Sequence, residues 1–342
     1  MKSDSNSFQP TRAPRPFFHR RTLLGAAAAL GATLLVPGPA AAQTYPERSV
    51  RLTLGFPPGT GPDVVARLVG QKLSENVKQS VVVDNRAGAG GQIAVQVVAK
   101  SPADGYNLLL GEVGSISIAP PAFSKLPYDP VKDLTILSEV VRADFVLVVP
   151  MSSPVQNVAD FVKAARARGD RVNIATFGAG TPGHFGAEMF AEQAGFKIEP
   201  IHYRSTGDAV TAIIAGDVQG AFVSTALGMA QVKGGKMRAL ATTASERSPL
   251  LPAVPTFAEA GFPKTDFSAW FAFFVPAGTP APIVETLSRN LVAAVRAPEV
   301  RQKLEESGFR VLGTSSADAE KMMKAEAARW AAVVKATGFR GD

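Results

Sequence analysis

Strand-like and helix-like segments alternate along this chain from Val50 onward, and that alternation constrains the fold more than any other feature of the sequence. A repeated strand, helix, strand order predicts an α/β protein with largely parallel sheets. The order restarts at about residue 145, which indicates a second lobe. The predicted strands are 50–54, 81–84, 108–110, 145–149, 172–177 and 270–275, and the predicted helices include 62–77, 92–100, 158–168 and 184–194.

Two apolar strands join the predicted lobes, and we expect a cleft between them. Strand 145–149 leads into the second lobe, and strand 270–275 leads back to the first. Clefts of this kind are common ligand sites. We therefore predict residues 43–144 as the first part of lobe 1, residues 145–269 as lobe 2, and residues 270–342 as the hinge return and the completion of lobe 1 with the C-terminal helices.

The amino terminus has the three parts of an export signal. Residues 1–22 are polar and basic, Leu23–Val36 is apolar, and Ala40-Ala41-Ala42 offers a small-residue cleavage site. The apolar stretch is short for a helix that spans a bilayer, so a membrane anchor is the less favoured alternative. Arg20-Arg21 is typical of a twin-arginine signal, but His19 departs from that pattern, and the general secretory route stays open. We expect cleavage near Ala42 and a mature chain in the periplasm.

Composition excludes most cofactor and metal chemistry. The chain has no Cys, so thiolate catalysis, Cys-ligated metals and disulfides are impossible. It has 3 His, too few for an ordinary histidine-rich metal site. We predict neither a metal nor a cofactor.

The basic net charge does not indicate a nucleic-acid partner. Of the net charge of +7, four charges come from the first 42 residues, which hold five basic residues and one acidic residue. The rest of the chain contains no run of Lys and Arg of the kind that forms a basic stripe. Binding to nucleic acid is therefore not expected.

Three loops share a construction that suits an anion. Residues 59–63, 178–184 and 205–208 each follow a predicted strand and open a predicted helix, with Thr or Ser at the cap. A helix start presents unpaired N–H groups and a partial positive charge, which favour a carboxylate or phosphate. A merely capped helix is the simpler explanation for any one loop. Three such loops beside a predicted cleft favour an anion site.

One of these loops allows a different function. Residues Gly178–Gly183 read G-x-G-x-x-G after a strand, as in dinucleotide-binding folds. The acidic residue that should end the next strand is missing there, because Glu199 stands at that strand's start. An exported NADP-dependent oxidoreductase, with Arg204 at the ribose phosphate, stays the alternative. His184 and His202 are interpreted as capped or packed, since no nucleophile motif accompanies them.

Five motifs then follow one another along nearly the whole mature chain. They are Phe56-Pro57-Pro58-Gly59 with Asp63, Val83–Gly91, Pro102–Tyr106, Leu126–Pro130, and Trp270-Phe271 through Pro276–Pro280. Together they resemble the Bug-type periplasmic solute receptors of tripartite tricarboxylate transporters. The resemblance implies a two-lobed periplasmic-binding-protein fold (type II, Venus-flytrap) with two crossing hinge strands and no enzymatic activity. It also implies a small carboxylate ligand and the transporter's membrane permease subunits as partner. A receptor recruited for sensing, which contacts a membrane kinase or regulator instead of a permease, is a further alternative. We expect a monomer.

The resemblance implies that particular residues bind the ligand. In the first lobe these are Phe56, Gly59, Thr60 and Asp63, with Val113, Gly114 and Ser115 beside them. In the second lobe they are Ala179, Thr181, His184, Tyr203, Ser205 and Thr206, with Ser224 or Thr225 at the next strand end.

Two departures from the family bear on the ligand. Val223 stands where many relatives carry an acidic residue, so we expect a plain organic or aromatic carboxylate rather than an amino acid with an ammonium group. Glu112 stands where relatives often carry a small residue. Whether Glu112 faces the cleft or the solvent stays open at this point.

Overall fold

The computed structural model describes residue 13, residues 45–203 and residues 205–341. The chain from Tyr45 onward forms one compact unit. The predicted export signal over residues 1–42 and its cleavage near Ala42 lie outside the described residues, and so does Arg204. In the described part, no helix is both long and apolar enough to cross a bilayer.

Strands and helices alternate along this unit. The strands are β1 (Val50–Leu54), β2 (Val81–Asn85), β3 (Asn107–Glu112), β4 (Leu134–Pro150), β5 (Val172–Thr176), β6 (Ile198–His202), β7 (Gly220–Ser224), β8 (Met237–Thr242), β9 (Ser268–Pro276) and β10 (Arg310–Val311). The helices are α1 (Gly61–Val77), α2 (Gln92–Ala99), α3 (Ala119–Ala122), α4 (Pro130–Asp133), α5 (Val158–Ala167), α6 (Pro182–Ala194), α7 (Thr206–Ala215), α8 (Thr225–Lys233), α9 (Ala281–Arg296), α10 (Pro298–Glu306) and α11 (Ser316–Thr337). A 3₁₀ turn (Ala89–Gly91) and a π-helical turn (Gly114–Ile118) complete the inventory.

The strands form one hydrogen-bonded path in the order β2-β1-β3-β9-β4-β7-β5-β6, and β8 and β10 also pair with β4. β1 is parallel to β2 and β3, and β5 is parallel to β6 and β7. Every pairing made by β4 or β9 is antiparallel. The expectation of largely parallel sheets therefore holds for three strands in each lobe and is wrong for the centre, because the connecting strands run against the others.

The long strand β4 crosses from one lobe to the other. Its residues up to Asp144 pair with β9, and its residues from Phe145 onward pair with β7 and β8. The chain returns just before β9, where the Thr243 hydroxyl donates to the carbonyl of Phe267. The fold is thus a two-lobed α/β architecture with two crossings. The exact division at residues 43–144, 145–269 and 270–342 remains a prediction.

Strand β1 shows that both faces of the sheet are buried. Leu52 and Leu54 are 0% exposed on one face of the sheet, and Thr53 is 1% exposed on the other. Helices therefore cover both faces, as is usual where parallel strands form the sheet. The carboxyl ends of these strands, where the chain must leave the sheet, are the positions left for ligand binding.

Candidate functional site

Two sets of loops leave the carboxyl ends of the parallel strands. We call the loops after β1, β2 and β3 (residues 55–60, 86–91 and 113–118) the first-lobe row. The loops after β5, β6 and β7 (residues 177–181, 203–205 and 224–225) form the second-lobe row. Because neighbouring strands place their ends together, each row gathers the predicted residues of its lobe.

Asp63 holds the first loop of the first-lobe row in shape. Its carboxylate accepts hydrogen bonds from Gly59 N (2.9 Å), Arg67 Nε (2.9 Å) and Asn85 Nδ2 (2.9 Å). Burial alone would raise the pKa of Asp63, but these hydrogen bonds outweigh it and lower the pKa to about 2. The side chain is 3% exposed, and these hydrogen-bond partners of its carboxylate are groups of the protein itself.

The remaining groups of this loop leave some donors available. The Thr60 hydroxyl donates to the carbonyl of Pro57 (2.7 Å) and caps no N–H of α1. In any α-helix the first N–H groups lack partners within the helix, which leaves those of Gly61 and Asp63 facing the loop. The Phe56 ring is half-buried and lies 6.0 Å from the ring of Phe271.

The glycine-rich loop after β2 belongs to the site, although the sequence did not single it out as a ligand contact. A Cβ atom on Gly55 would lie 2.5 Å from the Cα of Gly91, and one on Gly91 would lie 3.5 Å from the Ser115 hydroxyl. Glycine at position 55 therefore lets the first two loops touch, and Ser115 of the third loop lies within van der Waals distance of Gly91. The Asn85 amide also donates to the carbonyl of Phe56 (2.9 Å). The repeated glycines of residues 88–91 are the feature of the sequence that could have indicated that this loop belongs to the site.

Glu112 changes what the third loop can do. Its carboxylate accepts hydrogen bonds from Gly114 N (2.8 Å) and Ser115 N (3.0 Å), which were predicted as ligand contacts. Burial raises the pKa of Glu112 to about 7 although these two N–H groups act in the opposite direction. The carboxylate thus binds the protein rather than extending into solvent. Val113, the residue between the strand and this turn, is 0% exposed.

The first loop of the second-lobe row is a capped helix start. The Thr181 hydroxyl accepts from His184 N (3.4 Å) and donates to the carbonyl of Gly178 (2.8 Å). The Gly180 N–H donates to Nδ1 of His184 (3.1 Å), so the neutral ring carries its proton on Nε2. Ala179 is exposed at the tip of the loop.

Two histidines meet behind this loop. The rings of His184 and His202 are 5.0 Å apart and perpendicular, and the Thr176 hydroxyl lies 2.6 Å from Nδ1 of His202. Burial and the neighbouring His202 lower the pKa of His184 to about 4, and burial lowers the pKa of His202. His184 is therefore a neutral, packed side chain that shapes the loop, and its role as a ligand contact stays a prediction.

The other two loops of the second-lobe row also cap helices. The Ser205 hydroxyl accepts from Asp208 N (3.1 Å), and the Ser224 hydroxyl accepts from Leu227 N (3.4 Å). Thr206 is the exposed first residue of α7, and Tyr203 is half-buried beside it. The Thr225 hydroxyl donates to the carbonyl of Asp144 (3.0 Å) in the crossing strand.

Two segments of the later chain contact both lobes. A Cβ atom on Gly61 would lie 3.1 Å from the Phe309 ring, and one on Gly308 would lie 2.9 Å from the Cβ of Ala226. Gly308 and Phe309 thus lie between the starts of α1 and α8, beside a cavity of about 430 Å³ that Thr225 also lines.

The second bridging segment follows α11. The Phe339 ring contacts His184 and Phe185 with ring centres 5.5 and 5.4 Å away, and it lies 3.2 Å from where a Cβ of Gly180 would be. Gly341 N donates to the carbonyl of Ala122 (2.8 Å) in the first lobe. This segment therefore ties the first loop of the second-lobe row to the opposite lobe.

The geometry defines a class of protein. Two α/β lobes, joined by crossing strands, present capped helix starts at their strand ends, which is the arrangement of two-lobed solute-binding proteins. Across the described ranges no three His, Asp or Glu side chains come together in a way that could hold a metal ion.

Comparison with known proteins then assigns the family. Residues 65–339 match the family described as the tripartite tricarboxylate transporter family receptor, and the chain belongs to this family. Protein BugT of Bordetella pertussis is 33% identical over 310 residues, covering 90% of this chain and 95% of BugT. This confirms the resemblance to Bug-type receptors.

Solved structures agree in fold over the same span. Rpa4515 of R. palustris with adipate has a TM-score of 0.78 and 34% identity, covering 86% of this chain and 99% of that one. MatC of Rhodopseudomonas palustris with bound malate has a TM-score of 0.74 and 29% identity, covering 85% and 100%. The protein is a solute receptor rather than an enzyme, and the alternative of an oxidoreductase that uses Gly178–Gly183 is set aside.

Proposed function

We propose that this receptor binds a small organic or aromatic carboxylate between its lobes and delivers it to the membrane permease of a tripartite tricarboxylate transporter. The observation that carries the proposal is the pair of loop rows, each of which ends in helix starts. Helix starts bind anions through backbone N–H groups and the helix dipole, without a buried cation. The adipate and malate of the two related structures support the same ligand class.

The predicted contacts remain those of the two rows. Phe56, with the loop from Gly59 to Asp63, supplies the first-lobe surface, where the free N–H groups of the first turn of α1 are the donors. Thr181, Ser205 and Ser224 mark the helix starts of the second-lobe row. Since a ligand held by both rows binds the closed state more tightly than the open one, it stabilises closure by that difference in affinity.

Val223 lies in the structure where it cannot select between a plain carboxylate and an amino acid. Val223 is 0% exposed and packs with Val146 in the core of the second lobe. Its side chain therefore does not line the cleft, and the missing acidic residue at this position does not exclude an amino acid. Whether the receptor accepts an amino acid therefore depends on the charged groups of the first-lobe row.

A ligand panel tests the proposed function. Purified protein is titrated with aliphatic dicarboxylates, hydroxy acids, aromatic acids, amino acids and NADPH while thermal unfolding is followed. A ligand at 100 times its Kd should stabilise the protein by about 2.7 kcal/mol. We expect stabilisation by one or more carboxylates and none by NADPH. Stabilisation by NADPH alone, or by no carboxylate, would contradict the proposal.

Export to the periplasm is part of the same proposal. We expect the full chain, expressed in a Gram-negative host, to be recovered from the periplasm with Gln43 as its first residue, which mass spectrometry can establish. Replacing Arg20 and Arg21 by Lys distinguishes the two export routes, since a twin-arginine signal should lose export and a general secretory signal should retain it. A monomer is expected by light scattering. Recovery of the unprocessed chain from the membrane would indicate an anchor instead.

A further inference from the structure

One pair of side chains holds both ends of the loop that follows β1. At the start of this loop, the Asn85 amide donates from Nδ2 to the carbonyl of Phe56 (2.9 Å). At its end, the Asp63 carboxylate accepts from Gly59 N (2.9 Å). Asn85 also donates to Asp63 (2.9 Å), so the two ends are joined through the pair. Two prolines lie between them and fix the backbone φ angles there.

Arg67 fixes which way the Asn85 amide points. Its Nη2 donates to Oδ1 of Asn85 (3.3 Å), and its Nε donates to Asp63 (2.9 Å). Since a guanidinium group only donates, Oδ1 of the amide faces Arg67 and Nδ2 faces the two acceptor oxygens of Phe56 and Asp63. Both hydrogens of Nδ2 thus have an acceptor. A carboxylate in this place would instead meet two oxygens, so the position requires an amide.

Asn85 is itself held by the sheet rather than by the loop. It is the last residue of β2 and pairs with Leu54, the last residue of β1. The next residue, Arg86, continues the ladder by donating its N–H to the carbonyl of Leu54 (2.8 Å). The side chain of Asn85 therefore links a rigid part of the lobe to a loop whose tip, at residues 57–59, is exposed.

Building on the proposed function, we propose that Asn85 is a positioning residue for ligand binding. It acts through the loop over residues 56–59, which it holds in the conformation that leaves the first turn of α1 open to a ligand carboxylate. When the loop also populates other conformations, the apparent affinity falls by the fraction of molecules in the binding conformation. This gives a function to the motif Val83–Gly91 at its Asn85 position.

Two substitutions of Asn85 test the proposal, each with a matched control. N85A removes both donors and leaves the ion pair of Arg67 with Asp63 in place. N85D keeps the shape of the side chain and replaces the donors by a charged acceptor. The controls are N76A and N76D. Asn76 is also half-buried and also donates to a backbone carbonyl, that of Asn290 (3.2 Å), but it lies at the opposite end of α1.

Calorimetric titration separates positioning from a merely structural role, because it measures both the Kd of the folded molecules and the fraction of molecules that bind. The ligand is adipate, or the tightest carboxylate of the panel where that is another compound. N85A should raise the Kd about tenfold, which corresponds to a loop in its binding conformation for one-tenth of the time, with an unchanged binding fraction. N85D should raise the Kd at least as much. N76A and N76D should lower the melting temperature and keep the wild-type Kd.

The possible results distinguish this inference from the proposed function. If N85A binds with the wild-type Kd, or if N76A raises the Kd as much as N85A does, the inference is overturned while the proposed function stands. If N85D does not fold, N85A alone decides. If no carboxylate of the panel binds the wild-type protein, both are overturned.

Amide hydrogen exchange tests the same inference without a ligand. In N85A the Gly59 N–H should exchange several-fold faster than in the wild type, because the loop opens more often, whereas the amides of β1 should keep their rates. Saturating ligand should restore slow exchange at Gly59. An unchanged rate at Gly59 in ligand-free N85A, measured by NMR, would also overturn the inference.

Discussion

Asp63 and Glu112, two carboxylates of the protein itself, take backbone donors that a ligand carboxylate would otherwise use. The family resemblance implied Asp63 as a ligand contact, but its carboxylate accepts three hydrogen bonds within the protein, one of them from Asn85, 22 residues away. Similarly, Glu112 reaches the N–H groups of Gly114 and Ser115 only because β3 ends where it does. Local sequence shows which donors exist, whereas tertiary structure decides which of them stay free.

The substitution D63N should destabilise the protein by about 2 kcal/mol at neutral pH, because it removes the charge that Gly59 and Arg67 bind. The folded-state pKa of Asp63 lies below its unfolded value, so this contribution is present above about pH 4 and is lost as pH falls toward 2. Urea unfolding at neutral and acid pH measures the difference. The control D170N changes an exposed ion pair and should shift stability by less than about 0.5 kcal/mol. Equal effects of D63N and D170N would contradict this assignment.

Protonation of His184 should contribute to loss of stability in acid. Since burial holds its pKa near 4, below the ordinary value of 6.5, its contribution is complete above pH 6.5 and is lost as pH falls to about 4. We expect the loss to reach up to about 3 kcal/mol over that range. In H184N an amide oxygen can still accept from Gly180, and the pH dependence in this window should flatten. An unchanged slope in H184N, from denaturant unfolding at several pH values, would show that other groups cause it.

At the scale of elements, local signals located the helices better than they located the longest strand. Ser and Thr caps mark the starts of α6 and α7, and these positions agree with the structure because capping is a local interaction. Strand β4 was predicted over 145–149 only, whereas it begins at Leu134. Two register shifts against β9 and an internal ion pair between Arg142 and Glu139 break the alternation in its first half. Such irregularities carry no simple sequence pattern.

The segment after α11 escaped prediction because its contacts are distant in sequence, and it offers a test of how the lobes are tied. Substitution F339A should lower stability by about 1–2 kcal/mol and should weaken adipate binding, since the ring supports the loop at Gly180. F196A removes a comparable partly buried ring that packs on Phe161 and Phe190 instead. We expect F196A to destabilise the protein without a specific loss of affinity. If both variants lose affinity in proportion to stability, Phe339 has only a packing role.

At the scale of the whole molecule, the two-lobed plan could be predicted because a restarted α/β pattern is visible along the chain. The relation between the two rows could not be predicted, because it is set by contacts across the lobes. One of these contacts joins Gly308 to Ala226 of the second lobe, and the adjacent Phe309 is held in the first lobe by its contact with Gly61. Both lie at residues that no motif singles out. The spacing of the lobes therefore depends on side-chain volume at a few positions. These positions lie in a connecting segment that contains no recognisable sequence motif.

Gly308 and Gly261 form a matched pair that tests this dependence. Both have a left-handed backbone, with φ of 86° and 90°, so an alanine should cost each of them about 1 kcal/mol of backbone strain. A Cβ atom on Gly308 would also lie 3.1 Å from the backbone nitrogen of Ala226, whereas nothing lies within 4 Å of one on Gly261. G308A should therefore push the lobes apart and lower affinity for adipate several-fold, and G261A should leave the affinity unchanged.

Small-angle scattering with saturating adipate should show a less compact G308A protein. Because backbone strain is matched, equal affinities of the two variants would mean that the Gly308 contact does not control closure.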